Sequence, residues 1–335
     1  MLIGFFRQDR PTAFFPLPLL ILLLWPGAGT GGGGPLAAGA AVASQTVHGM
    51  PLYAPFRWLM NLSPWVAMGM GLLLVLGLAH GLNRMANDSE LYDRRNHMPV
   101  LLLPLLLALL PFGFVPGPAF MGVWAVIWAL GRSWTAMART HVLSQLFDAG
   151  LLMGIAALLY LPYAFLTVVI WASLAVTRPL KWREYVMPIL GMGLIFFIGW
   201  GAVRFIAPSA WAPMASLHFP ADQAPLPAVH WMYGVILSAV LLVLAISVVI
   251  SFAAVYSGSV MREKNIRASF LAFTFAMGLL ALFAWWLDHR VPPVLLAVPA
   301  ALLLTYPMLQ TRRTAWAEAG VWCLLLLGCW ARWAA

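Results

Sequence analysis

Residues 149–177 read AGLLMGIAALLYLPYAFLTVVIWASLAVT and contain no charged side chain over twenty-nine positions. As a single α-helix this stretch is about 43 Å long, whereas the hydrocarbon core of a bilayer is about 30 Å thick. Pro162 lies in its middle, between Tyr160 and Tyr163, and tyrosine favours the membrane interface. The stretch therefore predicts two short membrane helices that turn at Leu161 and Pro162.

With this turn in place, the loops on alternate sides of the membrane differ in their content of Lys and Arg. One side holds fifteen of the nineteen, namely Arg7, Arg10, Arg84, Arg94, Arg95, Arg132, Arg139, Arg178, Lys181, Arg183, Arg262, Lys264, Arg267, Arg312 and Arg313. The other side holds Arg57, Arg204, Arg290 and Arg332. Because cytoplasmic loops are enriched in Lys and Arg, the richer side is predicted to be cytoplasmic.

The composition indicates a polytopic membrane protein, since 63% of the residues are hydrophobic and 9% are charged. We expect an all-α transmembrane helical bundle of about 11 spans, with the N-terminus cytoplasmic and the C-terminus outside. The predicted spans are 12–28, 64–82, 98–115, 117–131, 146–161, 162–177, 186–206, 229–252, 268–286, 292–309 and 316–333. The net charge of +9 follows from the cytoplasmic loops, so the predicted partners are membrane lipids and no nucleic acid.

The chain is predicted to form a single integral membrane domain over 1–335 in the bacterial cytoplasmic (inner) membrane. Its first span is expected to be an uncleaved signal anchor. Two outer loops are long, at about 29–63 and 207–228. The first begins with a glycine-rich segment that lacks the Gly-Lys-Ser/Thr ending of a phosphate loop, and it ends in the amphipathic-looking Tyr53–Met60.

Two predicted cytoplasmic segments carry clustered charges. Asn87–His97 contains three acidic residues and two arginines without the glycine turn of a calcium loop, and we interpret it as a solvated loop. The turn that carries Arg178, Lys181 and Arg183 is a candidate lipid-phosphate site, with topology marking as the alternative. Asp148 is interpreted as an acid in the first turn of its helix, where it stabilises the N-terminus.

The predicted outer side carries a sparse polar set, namely His48, His218, Asp222, His230, Asp288, His289 and Arg290. The histidines lack the HxxH or HExxH spacing of a metal site, so no metal is predicted, and the sequence indicates no particular cofactor. If the protein is an enzyme, Asp288 and then Asp222 are the predicted catalytic carboxylates, because transfer needs a proton acceptor. Arg290 would then bind a lipid phosphate as a bidentate donor. The alternative is that Asp288 and Arg290 neutralise each other at a short turn.

Residues 146–200 also resemble known families. The pattern consists of Leu146–Gly150, Gly154–Pro162 and Arg178–Glu184, followed by Gly191 in a long span. It resembles an uncharacterised family of polytopic inner-membrane proteins from Bacteroidota, whose members also open with a short Phe-Phe, basic, Pro start. It is similar as well to a segment of polyprenyl-phosphate-dependent, GT-C-like membrane glycosyltransferases, in which AGLLxGIAxL precedes a short helix, a basic turn and another span.

The second resemblance implies a protein that handles a lipid-linked sugar at the outer face, with a polyprenyl-phosphate-linked substrate. Those enzymes usually carry an acid in the first outer loop, but 29–63 contains no Asp or Glu. Two alternatives therefore stay open: a non-enzymatic accessory or scaffold subunit of an envelope assembly or export system, and a solute transporter. The sequence does not decide whether the protein is an enzyme.

The topology gives a first testable prediction. Ser216→Cys should react with a membrane-impermeant thiol reagent added to intact cells, whereas Lys181→Cys should react only after the cells are opened, because the two positions lie on opposite sides. The parent chain, which contains only Cys323 and Cys329, provides the background. Labelling of both positions from the same side would contradict the two-helix interpretation of 149–177.

Overall fold

The structure is a computed structural model that describes residues 2–7, 14–25, 50–110, 113–136, 142–177, 181–206, 231–289, 291–311 and 314–333. Within these ranges the chain is helical and contains no strand, which confirms the all-α prediction. The α-helices are α1 Leu2–Arg7, α2 Leu17–Leu24, α3 Ala54–Asn61, α4 Pro64–Asp88, α5 Met98–Leu109, α6 Pro118–Ala136, α7 Leu143–Leu159, α8 Thr167–Thr177, α9 Trp182–Ile206, α10 Trp231–Gly258, α11 Met261–Asp288, α12 Pro293–Gln310 and α13 Thr314–Trp333. Two short 3-10 segments lie at Pro51–Tyr53 and Leu161–Leu166.

Each predicted span contains a helix, from α2 in 12–28 to α13 in 316–333. Five of these helices are long and apolar enough to cross a membrane: Trp65–Asp88, Trp182–Ile206, Trp231–Gly258, Met261–Leu287 and Pro293–Gln310. Shorter apolar helices cover Met98–Leu109, Leu143–Leu159, Leu161–Thr177 and Ala315–Ala331. The protein is therefore a polytopic helical membrane protein, while its orientation and its place in a bacterial inner membrane stay predictions.

The uncharged stretch 149–177 is divided as predicted. α7 ends at Leu159, Tyr160 has an extended backbone, and the 3-10 segment leads into α8. The Tyr163 hydroxyl is buried and donates a hydrogen bond of 2.7 Å to the carbonyl oxygen of Ala119. The connection therefore takes seven residues, 160–166, rather than the expected two, because Tyr163 is packed inward against the start of α6.

The helices differ greatly in how much of their surface they bury. All twelve residues of α5 are buried, so this helix lies in the middle of the bundle. By contrast, α10 buries only Tyr233 and Val248, and α9 buries only Glu184, Pro188 and Gly191. The apolar side chains that α9 and α10 leave exposed face the lipid, which is as apolar as a protein core.

Close packing of α7 against α9 accounts for the glycines of the resemblance pattern. A Cβ atom added at Gly150 would lie 2.2 Å from the carbonyl oxygen of Pro188, and one at Gly191 would lie 2.4 Å from that of Phe147. Gly150 and Gly154 form a GxxxG pair, which allows two helix backbones to approach closely. The small residues at 150, 154 and 191 thus have a packing role in this fold.

We expect Gly191→Ala to destabilise the protein by about 1–3 kcal/mol, the usual cost of overpacking, because its methyl group would collide with the backbone of α7. Gly193→Ala is the matched control, since a Cβ atom there meets nothing within 4 Å. Thermal unfolding of both variants in the same detergent would measure the difference. Equal stability of the two variants would contradict the close approach of α7 and α9.

Candidate functional site

The charged chemistry of the described residues is concentrated at one end of the bundle, which we call the arginine-rich end. Ion pairs and hydrogen bonds there join α1, the α4–α5 loop, α11 and α12. Seven acidic side chains are described, and all belong to helix ends or loops of this end: Asp88, Glu90, Asp93, Asp148, Glu184, Glu263 and Glu318. Chemistry that needs a carboxylate is therefore available here.

The end of α4 turns the chain back across the bundle. After Asp88 the backbone NH of Leu91 donates to the carbonyl oxygen of Ala86 at 3.0 Å, and that of Glu90 donates to Asn87 at 3.3 Å. Glu90 has a left-handed backbone (φ 56°), a conformation that usually selects glycine. This geometry is a Schellman cap, and the buried Leu91 completes it.

The loop that follows is held in place by its own side chains. The Asn87 amide donates to the carbonyl oxygen of Asn96 at 3.0 Å and accepts from its backbone NH at 3.3 Å. Asn96 and His97 are buried, whereas Arg94 and Arg95 are exposed. The interpretation of 87–97 as a solvated loop is thus wrong for the buried residues, because their polar groups find partners inside the protein.

Tyr92 anchors this loop to α12. Its hydroxyl donates to the carbonyl oxygen of Leu302 at 2.8 Å, and the Tyr306 hydroxyl donates in return to that of Leu91 at 3.1 Å. The two rings meet edge to face at 5.1 Å. Burial, followed by the nearby Tyr306, raises the pKa of the Tyr92 hydroxyl well above its ordinary value, so this group stays a hydrogen-bond donor.

Arg267 joins the same loop to α10 and α11, although it is only 1% exposed. Its Nη2 donates to Asp93 Oδ1 at 2.6 Å, and its Nη1 donates to the carbonyl oxygen of Val255 at 3.2 Å and to the hydroxyl of Ser259. Glu263 lies 3.5 Å away. A buried arginine needs such partners to offset its lost hydration, so the position of the loop depends on this network.

Removal of Arg267 should be far more costly than removal of a nearby exposed arginine. We expect Arg267→Ala to destabilise the protein by about 2–5 kcal/mol, because it leaves a cavity in place of a buried side chain and removes the hydrogen bonds to Asp93 and to the end of α10. Arg262→Ala is the control, since Arg262 pairs with Glu90 of the same loop at 3.1 Å but both side chains are largely exposed. Such a pair contributes less than about 1 kcal/mol. Thermal unfolding in detergent distinguishes the two, and similar small shifts would disprove the role of Arg267.

An amphipathic groove of about 640 Å³ opens beside the loop, between α4, α6 and α7. Its polar members lie towards the arginine-rich end: His80, Arg84, Asp88, Arg132, Thr135 and Asp148. Its apolar members lie mainly deeper: Trp124, Ile127, Trp128, Leu151, Leu152 and Ile155. The groove thus offers charged groups at one end and an apolar wall beyond them.

Two details keep the apolar wall of the groove in shape. The Trp124 indole NH donates to the carbonyl oxygen of Leu74 at 3.3 Å. Gly77 leaves room for the same ring, because a Cβ atom there would lie 2.2 Å from it. Trp128 packs edge to face on Trp124 and remains 56% exposed, so its ring is available to a ligand.

A second cavity, the polar cleft, adjoins the groove. It has a volume of about 450 Å³ and is lined by Asn87, Asp88, Glu90, Tyr92, Asp93, Arg94, Arg95 and Thr135. Asp88 and Thr135 line both cavities, so the two spaces are neighbours. Among the His, Cys, Asp and Glu residues in the described ranges, no group of three or more could hold a metal ion.

The residues predicted from the sequence are not brought together in the described structure. Asp288 ends α11, but its side chain, Asp222, Arg290 and Arg178 lie outside what the structure describes. Lys181 and Arg183 are exposed at the start of α9, where the Arg183 guanidinium lies 5.9 Å from the centre of the Trp182 ring. These site assignments therefore stay predictions.

The groove residues were missed, although their spacing contains a usable signal. His80, Arg84 and Asp88 recur every four residues, which places them on one face of α4. Asp148 was assigned to a first helical turn, but α7 begins at Leu143, so Asp148 lies beyond that turn and lines the groove. The first-turn interpretation is therefore wrong.

The fold is similar to that of a known membrane enzyme. The crystal structure of the oligosaccharyltransferase from Archaeoglobus fulgidus, in the apo form, matches with a TM-score of 0.50 and 10% sequence identity. The match covers 97% of this chain and 56% of that one, so this chain spans little more than half the length of that protein. At this identity the similarity concerns the fold alone, and at that level it agrees with the resemblance to GT-C-like glycosyltransferases.

No protein-family model matches the chain, and no curated protein is significantly similar to it in sequence. The resemblance to a Bacteroidota family therefore stays a prediction.

Proposed function

We propose that this protein is a glycosyltransferase-like membrane protein that binds a lipid-linked, phosphate-bearing sugar, such as a polyprenyl-phosphate-linked one. The observation that carries the proposal is the amphipathic groove, which combines arginines at one end with tryptophan and aliphatic side chains beyond them. The fold similarity to an oligosaccharyltransferase supports the class of protein.

The groove matches the two chemical parts of such a ligand. Arginine donates two parallel hydrogen bonds to a phosphate, and Arg84 and Arg132 both line the polar end. Arg84 already forms an ion pair with Asp88 at 3.4 Å, whereas Arg132 makes no ion pair within the described part of the chain. A prenyl chain would pack along the apolar wall by van der Waals contact, in surroundings as apolar as the lipid that it leaves, so the electrostatic part of binding comes from the arginines.

The chemical step, if one occurs, is a separate part of the proposal. Transfer at the outer face would use Asp288 or Asp222 as proton acceptor and Arg290 as phosphate ligand. A lipid bound in the groove has its phosphate at the arginine-rich end, which the charge distribution predicts to be cytoplasmic. Because the bond that transfer breaks adjoins the phosphate, a lipid held in the groove is not the one that reacts at the outer face, so the binding site and the outer carboxylates are two independent parts of the proposal.

One observation favours a second candidate, a non-enzymatic subunit that holds the lipid for a partner. All acidic side chains that the structure describes lie at the arginine-rich end, and the first outer loop has no Asp or Glu. In this case the groove has the same role, but the transfer occurs on another protein.

Binding can be tested with farnesyl phosphate as the probe. We expect Arg132→Gln to weaken binding about tenfold, because the phosphate loses its unshared arginine, a loss of about 1.4 kcal/mol. Native mass spectrometry of the detergent-solubilised chain would measure it, with farnesol as the uncharged control. Arg183→Gln tests the predicted turn and should leave binding unchanged. Loss of binding in Arg183→Gln, with Arg132→Gln unaffected, would place the phosphate at that turn instead.

Catalysis can be tested in cells with Asp288→Asn, Asp222→Asn and Arg290→Gln, each at matched membrane abundance. A glycosyltransferase should lose surface glycan in at least one carboxylate variant, because transfer needs a proton acceptor. Wild-type glycan in all three variants, combined with intact farnesyl phosphate binding, would eliminate transfer at the outer face by these residues and favour the lipid-holding subunit.

A further inference from the structure

Beside the groove, the polar cleft has a chemical character of its own. Three of its lining residues carry carboxylates, and each carboxylate forms an ion pair with an arginine. Asp88 is paired with Arg84 at 3.4 Å, Glu90 with Arg262 at 3.1 Å, and Asp93 with Arg267 at 2.6 Å. The pairs of Asp88 and Glu90 are exposed and weak, so both carboxylates are accessible to a ligand, whereas Asp93 is bonded to the buried Arg267.

In each pair the arginine uses a single oxygen of the carboxylate. The bonded atoms are Asp88 Oδ2, Glu90 Oε2 and Asp93 Oδ1. Within the described residues the second oxygen of each carboxylate accepts no hydrogen bond, so three acceptors remain open to a ligand. Hydroxyl groups are the natural donors to such oxygens, because an O–H group bonded to a carboxylate forms a short, charge-assisted hydrogen bond.

The polar cleft adjoins the polar end of the groove, where the lipid phosphate is proposed to bind. A phosphate at Arg84 and Arg132 has its lipid chain on the apolar side, so any group attached to its other side points away from that wall. Asp88 and Thr135 line both cavities, and the way past them leads into the polar cleft. Its volume of about 450 Å³ lies within the range of about 300–1,000 Å³ that is common for small-molecule sites.

We infer that the polar cleft binds the sugar headgroup of the lipid, a neutral group rich in hydroxyls, through Asp88 and Glu90. This inference rests on the proposed function, since it assigns the headgroup part of the same ligand. Asp93 contributes an acceptor too, but it also holds Arg267 and thus the loop, so a variant there would mix two effects. Arg94 and Arg95 line the cleft beside the three carboxylates, so its charge does not by itself separate a sugar from a further phosphate. The open carboxylate oxygens favour the sugar, because they bond only to donors and its hydroxyl groups are donors.

The test compares two probes that differ only in the sugar. Farnesyl phosphoryl-glucose and farnesyl methyl phosphate are both phosphodiesters with one negative charge, so a difference in affinity reports on the headgroup. We expect wild-type protein to bind the glucose-bearing lipid about tenfold more tightly, the effect of one or two charge-assisted hydrogen bonds. Glu90→Gln should reduce this preference several-fold and leave the affinity for the methyl ester unchanged, because Glu90 does not line the groove. Asp88→Asn should also reduce the preference, but it releases Arg84 to the phosphate, so the affinity for the methyl ester should rise.

The outcomes separate the two claims. Equal binding of both lipids by the wild type would overturn the headgroup site while leaving the lipid-phosphate groove intact. Failure of both lipids to bind would remove the proposed function itself. A parallel loss of both affinities in Asp88→Asn and Glu90→Gln, with lowered thermal stability, would show a structural role and also overturn the inference. Glu263→Gln is the matched control, because Glu263 contacts Arg267 but does not line the cleft.

Discussion

The break in the helix before Pro162 is the constraint on which the second half of the architecture depends. Length alone does not force it, since α10 is one helix of 28 charge-free residues, but Pro162 has no backbone NH to continue the helix, so the chain breaks at Tyr160 and the Leu161–Leu166 segment leads into a second, short helix. This break sets the direction of the helices that follow it, so α9 runs parallel to α7 and α11 brings Arg267 to the loop after α4. The groove lies before the break in the chain and joins Asp148 of α7 with Arg84 and Arg132.

At the arginine-rich end, the hydrogen-bonding needs of buried groups shape the site. Glu90 takes up a left-handed conformation, and the chain then crosses the bundle with Leu91 and Tyr92 buried. Arg267 brings a full charge into this region and uses the loop, α10 and α11 to compensate for it. The same contacts that stabilise the loop therefore also orient the carboxylates of the polar cleft.

The membrane crossings could be predicted from the sequence because they follow from strong, one-dimensional signals. Long apolar runs, Pro162 with its flanking tyrosines and the uneven distribution of arginine each report on the bilayer directly. The burial of Asn96 and His97 could not be predicted, because it depends on which neighbours a short polar segment meets. The groove could not be predicted either, because Arg132 and Asp148 belong to different helices that lie side by side. The spacing of residues within one helix does not show which helices are neighbours.

The exposed helix α10 links this site to the surrounding lipid. It has 28 residues, a length of about 42 Å, and only Tyr233 and Val248 are buried. A long helix with few protein contacts adjusts to a thinner membrane by tilting, which relieves hydrophobic mismatch. Its last turn carries Val255, and Ser259 follows directly after its end; both are partners of Arg267. Tilting of α10 therefore acts on Arg267 and the polar loop, so the acyl-chain length of the host membrane becomes a physical variable of the proposed site.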